Sequence, residues 1–243
     1  MLTLTAIDDL AKTGRVDEAI AACSDLLASD GVSVQFAADL LRKKAELLDW
    51  YKSQYHECEA LLREELKLRI THDVPGIAHT YFQLGLILDF MFRQSEAIEA
   101  LELGLRESTD PLLSAKIENL MGDIYVPIDC TRARAFLESS ARRLATLDDQ
   151  YMQRHVALSL AWLAAQEGSP SAALLACDRE LQLARERQSA GLQGTAHLRM
   201  AQIFALAGDR DGALTHSSEA ARIGRDNMWQ CLVDSALQVA VPG

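Results

Sequence analysis

The sequence contains few residues that interrupt helices and none of the common catalytic signatures. Among 243 residues there are 5 prolines and 13 glycines, and most of them fall between segments of periodic apolar residues. Because proline and glycine are the strongest local breakers of regular structure, the long stretches between them can form helices, and the scarcity of Thr, Val and Ile disfavours strands. A phosphate-binding loop, a dinucleotide-binding glycine fingerprint, a nucleophile elbow and an HExxH motif are all missing. We therefore expect a protein that is not an enzyme.

Positive charge is also in short supply. Lys and Arg number 24 against 35 Asp and Glu, which gives a formal net charge of −11. A phosphate backbone or an anionic membrane surface would be repelled overall, so we expect neither nucleic acid nor a membrane as a partner. The N-terminus lacks the basic start and apolar core of a signal peptide, and no run approaches the roughly 18 apolar residues of a membrane span. We therefore expect a cytoplasmic location.

Clusters of metal ligands and paired cysteines are missing as well. The 5 cysteines stand far apart with no CxxC pair, and the 6 histidines are equally dispersed. We therefore expect no zinc site, no bound cofactor and no disulfide framework. Cys23, Cys58 and Cys177 fall on the predicted buried faces of helices, where a thiol packs as a small apolar group.

A short pattern recurs along the chain: a turn residue, four further residues, then Ala and an aliphatic residue. The turn residue is glycine at Gly14, Gly168 and Gly208, and Phe92 takes its place in a fourth copy. These turn residues are separated in order by 78, 76 and 40 residues, so a unit of about 39 residues repeats, twice with an unmarked unit in between. A period between about 20 and 50 residues is typical of repeat architectures, which present surfaces for binding. The alanines of the pattern are Ala19, Ala97, Ala173 and Ala213.

The clearest copy of the repeat runs from Ala78 to about Asp110. Each of its halves places apolar residues on one helix face, and small residues at Gly85 and Ala97 would let the two helices approach closely. This spacing resembles the tetratricopeptide repeat, a helical hairpin whose pattern is an aromatic, Leu-Gly, a small residue, a large apolar residue, Ala and a late Pro. The matching residues are Tyr81, Leu84, Gly85, Ala97, Leu101 and Pro111.

The resemblance implies an all-α fold, a right-handed α-solenoid of about six antiparallel helical hairpins in a single domain over residues 1–243. The period of 38 to 40 residues exceeds the roughly 34 that is usual for this repeat, which implies longer helices or longer joints. A final amphipathic segment would cap the last hairpin, whose apolar face would otherwise meet water. The predicted hairpins span residues 2–29, 33–70, 76–109, 112–146, 150–188 and 192–225, and the predicted cap spans residues 228–240.

Two local questions have alternatives at the level of sequence. After Met121 and Gly122, either Ala133 or Ala135 could be the alanine that packs against the glycine.

Residues 63–69 alternate in charge at spacings that support i,i+4 pairs, so we expect a solvated helix face there. Five arginines make the fourth repeat locally basic; we expect a solvated outer face here too, with an anion or acidic-peptide site as the alternative. These arginines are Arg132, Arg134, Arg142, Arg143 and Arg154.

The resemblance also implies where a partner would bind. In tetratricopeptide-repeat proteins the first helices line a concave groove, and fixed repeat positions face a bound peptide. Phe82, Phe90 and Trp162 at these positions would supply aromatic anchors, or would instead pack against the neighbouring hairpin. The Lys and Asn set that grips a C-terminal carboxylate in co-chaperones of this family does not appear at matching positions. The predicted partner-binding residues are His79, Phe82, Leu86, Asp89, Phe90, Lys116, Asn119, Asp123, His155 and Trp162.

Together these patterns favour a non-catalytic adaptor or assembly factor that binds a peptide or helix of a partner protein in the groove. The alternative is a regulatory sensor module that binds a small molecule or signal peptide and controls a separate output protein. A peptide site would be an open aromatic strip, whereas a small-ligand site needs a closed pocket of several hundred cubic ångströms. The short first helix leaves the N-terminal hairpin poorly covered, so we also expect a homodimer contact there.

Overall fold

The computed structural model describes residues 3–240, apart from the side chain of Ala240, and these residues form thirteen α-helices. No strand occurs within that range, which confirms the all-α class. Residue 2, where the first predicted hairpin begins, lies outside the described residues. In chain order the helices are α1 Leu4–Lys12, α2 Val16–Leu27, α3 Val34–Lys52, α4 Tyr55–His72, α5 Ile77–Phe90, α6 Gln94–Glu107, α7 Pro111–Tyr125, α8 Cys130–Leu144, α9 Gln150–Gln166, α10 Pro170–Glu186, α11 Ala190–Leu206, α12 Arg210–Asp226 and α13 Gln230–Ala240.

The chain divides into two compact units, Met1–Ser108 and Thr109–Gly243. In the first unit α1 packs on α2, α3 on α4 and α5 on α6; in the second α7 packs on α8, α9 on α10 and α11 on α12, with α13 against α11 and α12. Short turns join the helices of each pair, so the pairs are antiparallel hairpins. The first helices of the pairs begin 30 to 43 residues apart, so the uniform period stays a prediction, as do the right-handed sense and the single domain.

One turn geometry recurs inside the hairpins and explains the glycine pattern. Gly14, Gly168 and Gly208 have φ angles of 84°, 91° and 77°, and Phe92 at the equivalent place has a φ of 59°. In each turn, the residue that follows this position donates its backbone N–H to the carbonyl oxygen five residues before itself. Arg93, for example, donates to Leu88 O at 2.9 Å. This left-handed residue closes the first helix of the hairpin. Phe92 therefore holds a backbone conformation that glycine adopts without strain.

The alanines of the pattern mark the closest approach of paired helices. Ala97 is fully buried, and a Cβ added to Gly85 would lie 2.6 Å from Leu101 Cγ and 3.3 Å from the Ala97 carbonyl oxygen. The next hairpin repeats this geometry, since a Cβ on Gly122 would lie 2.5 Å from Leu137 and 3.4 Å from the Ala133 oxygen. The packing alanine is therefore Ala133, which is fully buried, and Ala135 is exposed.

The expectation that residues 63–69 form a solvated helix face is wrong for two of them. Glu65 and Arg69 are fully buried in the first unit. Arg69 Nε donates to Glu65 Oε1 at 2.7 Å, its Nη2 donates to Asp39 Oδ1 at 2.6 Å, and its Nη1 donates to the Pro75 carbonyl oxygen. A charged side chain tolerates such burial when all its donors are paired, which the alternation of charge in the sequence does not reveal.

Three cysteines belong to the core, as the sequence predicts. Cys23, Cys58 and Cys177 lie on α2, α4 and α10, and each has no exposed surface. Burial raises the thiol pKa of Cys23 to about 11 and those of Cys58 and Cys177 to about 12. These thiols are therefore protonated packing groups at neutral pH.

Among the described helices, none has both the length and the apolar character required to cross a membrane.

Gly85→Ala tests the close approach of α5 and α6. The added methyl collides with Leu101, so we expect the free energy of unfolding in urea to fall by about 1 kcal/mol, the overpacking cost less the helix propensity that alanine gains. The control is Gly85→Ala combined with Leu101→Ala, which removes the colliding side chain. Its loss of stability should be smaller than the sum of the two single losses. An unchanged or raised stability for Gly85→Ala alone would contradict the observed helix spacing.

Phe92→Gly tests the strain in the α5–α6 turn. The ring is 68% exposed, so little packing is lost, and glycine removes the left-handed penalty. We expect thermal unfolding to show a stabilisation of about 1 kcal/mol. Gly168→Ala is the matched control, because nothing lies within 4 Å of its added Cβ and only the φ of 91° acts. That variant should lose stability by a similar amount; a destabilised Phe92→Gly would mean that the ring has contacts worth more than the strain.

Candidate functional site

A cluster of polar side chains joins three first helices of the second unit, α7, α9 and α11. Asn119 on α7 contacts His155 on α9, with 3.3 Å between Asn119 Nδ2 and His155 Nδ1. Arg199 on α11 pairs with Asp123 on α7 at 2.5 Å and also reaches Ser159 Oγ on α9 at 3.5 Å. Three of the sequence-predicted residues, Asn119, Asp123 and His155, therefore lie in one cluster. Arg199 thus holds the carboxylate of Asp123 in place from a different hairpin.

The hydrogen-bonding capacity of this cluster is not fully used. Asn119 is 4% exposed, and the side chains of Asp123 and Arg199 are 15% and 11% exposed. Asn119 Oδ1, Asp123 Oδ1 and Arg199 Nε are nevertheless without a hydrogen-bond partner. Since buried polar atoms in proteins are nearly always paired, two acceptors and one donor here retain unused hydrogen-bonding capacity, which a bound group could reach only after these side chains turn outward.

Burial disfavours the charged form of His155 in this environment. Burial lowers the pKa of its imidazole, with the opposing charges of Asp123 and Arg199 acting as smaller influences. Asn119 and His155 share one hydrogen bond, and the direction of that bond is set by the ring tautomer and by the orientation of the amide. The cluster therefore carries one ion pair and no further charge at neutral pH.

The remaining predicted residues of the second unit differ in exposure. Trp162 is half-buried and packs against the core cluster that includes Leu158 and Ala165, so part of its ring belongs to the hairpin core. Lys116 is half-buried in the second turn of α7. The packing of Trp162 against the hairpin core is observed, and its role as an anchor for a partner stays a prediction.

In the first unit the predicted residues are all half-buried. The rings of His79 and Phe82 meet edge to face with centroids 6.2 Å apart, and Phe90 stacks on Tyr55 at 5.4 Å. The Phe90 ring is thus engaged by the neighbouring hairpin on one face. Two further predicted residues, Leu86 and Asp89, lie on α5 with them.

A second polar feature of the first unit is a narrow crevice between α3, α4 and α5. No part of it is wide enough to hold a water molecule. Asp49 lines it, is 3% exposed, and has no hydrogen-bond partner at Oδ1. Burial, and secondarily the charge of Glu46, raise the pKa of Asp49 to about 7.

Sequence reasoning missed Arg199, Ser159 and Asp49. Arg199 falls one residue before Met200 and Ala201, at a repeat position that the groove pattern does not include. Asp49 lies in the repeat that matches the tetratricopeptide pattern least. The signal available for both was a single charged residue inside an apolar helical stretch, such as Leu47-Leu48-Asp49-Trp50.

The basic residues of the fourth repeat are largely paired with acids. Arg143 binds Glu118 at 2.9 Å, Arg154 binds Glu180 at 3.0 Å, and Arg134 contacts Glu138 at 3.3 Å. This pairing favours the outer-face interpretation over an acidic-peptide site. Across residues 3–240 no group of three or more His, Cys, Asp and Glu side chains is arranged to hold a metal ion.

The sequence matches no protein-family model, and no curated protein matches it. Solved structures match over nearly the whole chain. A Rap protein complexed with competence and sporulation factor aligns over 97% of this chain and 68% of its own, with a TM-score of 0.67 and 15% identity. BtubC (BKLC) from P. vanneervenii aligns over 91% and 92%, with a TM-score of 0.59 and 18% identity.

A structure that is itself described as a repeat protein gives the same result. The C-terminal part of a TPR repeat-containing protein from Cytophaga hutchinsonii aligns over 98% of this chain and 94% of its own, with a TM-score of 0.51 and 16% identity. At these identities the likeness concerns the fold. The chain has the helical-hairpin fold of tetratricopeptide-repeat proteins.

Proposed function

We propose that this protein is a non-catalytic adaptor that binds an extended segment of a partner protein along the first helices α7, α9 and α11. The observation that carries the proposal is the unused hydrogen-bonding capacity of Asn119 Oδ1, Asp123 Oδ1 and Arg199 Nε. An extended peptide presents alternating N–H and C=O groups, so it can donate to the two oxygens and accept from the guanidinium. The similar fold of a Rap protein that is complexed with competence and sporulation factor supports this choice.

The aromatic residues extend the proposal beyond the polar cluster. The surface part of Trp162 would provide an apolar anchor beside the cluster, and Lys116 would meet an acidic group of the partner. In the first unit, His79, Phe82, Leu86, Asp89 and Phe90 stay proposed contact residues. Self-association through the N-terminal hairpin and a cytoplasmic location likewise stay predictions from the sequence.

The sensor interpretation has weaker support. A drug-sized ligand needs a pocket of about 300–1,000 Å³, and the crevice beside Asp49 has no room even for a water molecule. The polar and aromatic side chains along α7, α9 and α11 suit a peptide better. The adaptor is therefore the function that the geometry favours.

The adaptor proposal predicts that selected peptides depend on the polar cluster. Random peptides displayed on phage would be selected on the wild-type protein, and their dissociation constants measured for Asn119→Ala by isothermal titration calorimetry. We expect binding at least about tenfold weaker, because a hydrogen bond to the buried amide is lost. Circular dichroism first checks that the variant has wild-type helix content.

Arg142→Ala is the matched control, since Arg142 is an exposed residue of α8 in the same unit. It should bind the selected peptides as the wild type does. Peptides that bind all three proteins equally would place the site elsewhere. A selection that enriches no peptide would contradict peptide binding itself.

A further inference from the structure

Two imidazole rings meet between the helices of the α11–α12 hairpin. His197 on α11 and His216 on α12 lie with their Nδ1 atoms 2.9 Å apart and their ring centroids 5.1 Å apart. This is a hydrogen-bond distance, so one Nδ1 carries a proton and the other accepts it. His197 is 6% exposed, and Phe204 stacks on the half-buried His216 with centroids 5.3 Å apart. The pair therefore joins the two helices through a contact that holds a single proton.

The number of further protons that this contact accepts is limited. In the neutral pair each ring has one N–H, and one of these two N–H groups points at the other ring. A first added proton binds Nε2 of the ring whose Nδ1 already donates, and it leaves the contact intact. A second added proton must bind the accepting Nδ1. Since the 2.9 Å between the two nitrogens has room for one hydrogen, and since both rings are then positive, the second proton breaks the contact.

The charged groups around the pair do not neutralise a second positive charge. Glu219 on α12 and Asp178 on α10 favour protonation, whereas Arg185 on α10 and Arg222 on α12 oppose it. Glu219 is itself bound by Arg222 at 3.0 Å. Burial is the largest influence and lowers the pKa of both imidazoles, to about 4 for His197, where repulsion from the other ring acts next.

We propose that the imidazole pair is an acid-sensitive contact between α11 and α12, which stays closed with one added proton and opens with the second. Opening would loosen the candidate site, because Arg199 lies two residues after His197 on α11 and pairs with Asp123 on α7. The proposal concerns the hairpin itself and does not depend on peptide binding.

The closed hairpin should become less stable as the pH falls. In the unfolded chain both rings take up protons below about pH 6.5, whereas in the folded hairpin His197 stays unprotonated until the pH nears its lowered pKa of about 4. Between these limits the open state binds more protons, so acid favours opening. Each proton of difference raises the opening constant by up to about tenfold per pH unit. Above this range both states are unprotonated, and the pair adds no pH dependence.

The shared proton is tested first, on the wild-type full-length protein. Histidine-ring ¹⁵N NMR at neutral pH should show one Nδ1 proton for the two rings of the pair. On acidification the pair should titrate in two steps that are separated by at least about one pH unit, because the rings are coupled. An Nδ1 proton in neither ring, or two rings that titrate together, overturns the proposal.

The opening is measured by amide hydrogen exchange of α11 and α12, corrected for the intrinsic exchange rate at each pH. In the wild type the opening constant should rise by up to about tenfold per pH unit below pH 6.5. His216→Asn should flatten this rise, because an amide at the Nδ1 position keeps the contact with His197 and cannot become charged. A slope equal to that of the wild type overturns the proposal and would make the pair a packing contact without a role in pH dependence.

His56→Asn is the matched control, because His56 is an exposed histidine of α4 in the other unit. It should keep the wild-type slope in α11 and α12. His155 and Asp49 also have pKa values shifted by burial, but they are present in all three proteins and cancel in the comparison. Circular dichroism checks that both variants fold; should His216→Asn fail to fold, the ring NMR of the wild type decides.

Discussion

The close approach of paired helices is the constraint on which the hairpins depend. At Gly85 and at Gly122 the space for a Cβ is already filled by a leucine of the partner helix, Leu101 or Leu137. Interaxial distances between helices are set by the residues at the contact, so glycine and alanine there allow near-contact of the two backbones. The leucine then fills the space beside the glycine instead of holding the helices apart. These two hairpins thereby pack closely through few residues.

Polar groups buried between hairpins are only partly paired. Arg69 donates to Glu65, Asp39 and a backbone oxygen, so it joins α3, α4 and the following loop, and Glu65 Oε2 is left without a partner. The cluster at Asn119 and the carboxyl of Asp49 retain unpaired oxygens. Burying an unpaired oxygen costs about 1–3 kcal/mol, which a stacked helical scaffold tolerates where a ligand restores the bond. Unpaired oxygens therefore occur both in the charged network of the first unit and in the proposed binding cluster of the second.

The repeated glycine and alanine positions predicted the helical pairs because they report local backbone geometry. The left-handed turn at Phe92 could be predicted from its place in the pattern alone, although phenylalanine rarely adopts it. Burial of Glu65 and Arg69 could not, because i,i+4 charge pairs occur on solvated and buried faces alike. Part of the polar cluster could be predicted from the sequence, because Asn119, Asp123 and His155 occupy repeat positions that were predicted to face a partner. Its partner Arg199 comes from a distant hairpin, and no local pattern encodes that contact.

The reactivity of the buried cysteines reports when each hairpin opens locally. A thiol reacts only as a solvent-accessible thiolate, and Cys23, Cys58 and Cys177 are fully enclosed with raised pKa values. Each lies in a different hairpin, on α2, α4 and α10. In a stack where neighbours supply most of the stability, hairpins open locally and at different rates. The order in which these three sulfurs become reactive would therefore trace how unfolding spreads from hairpin to hairpin.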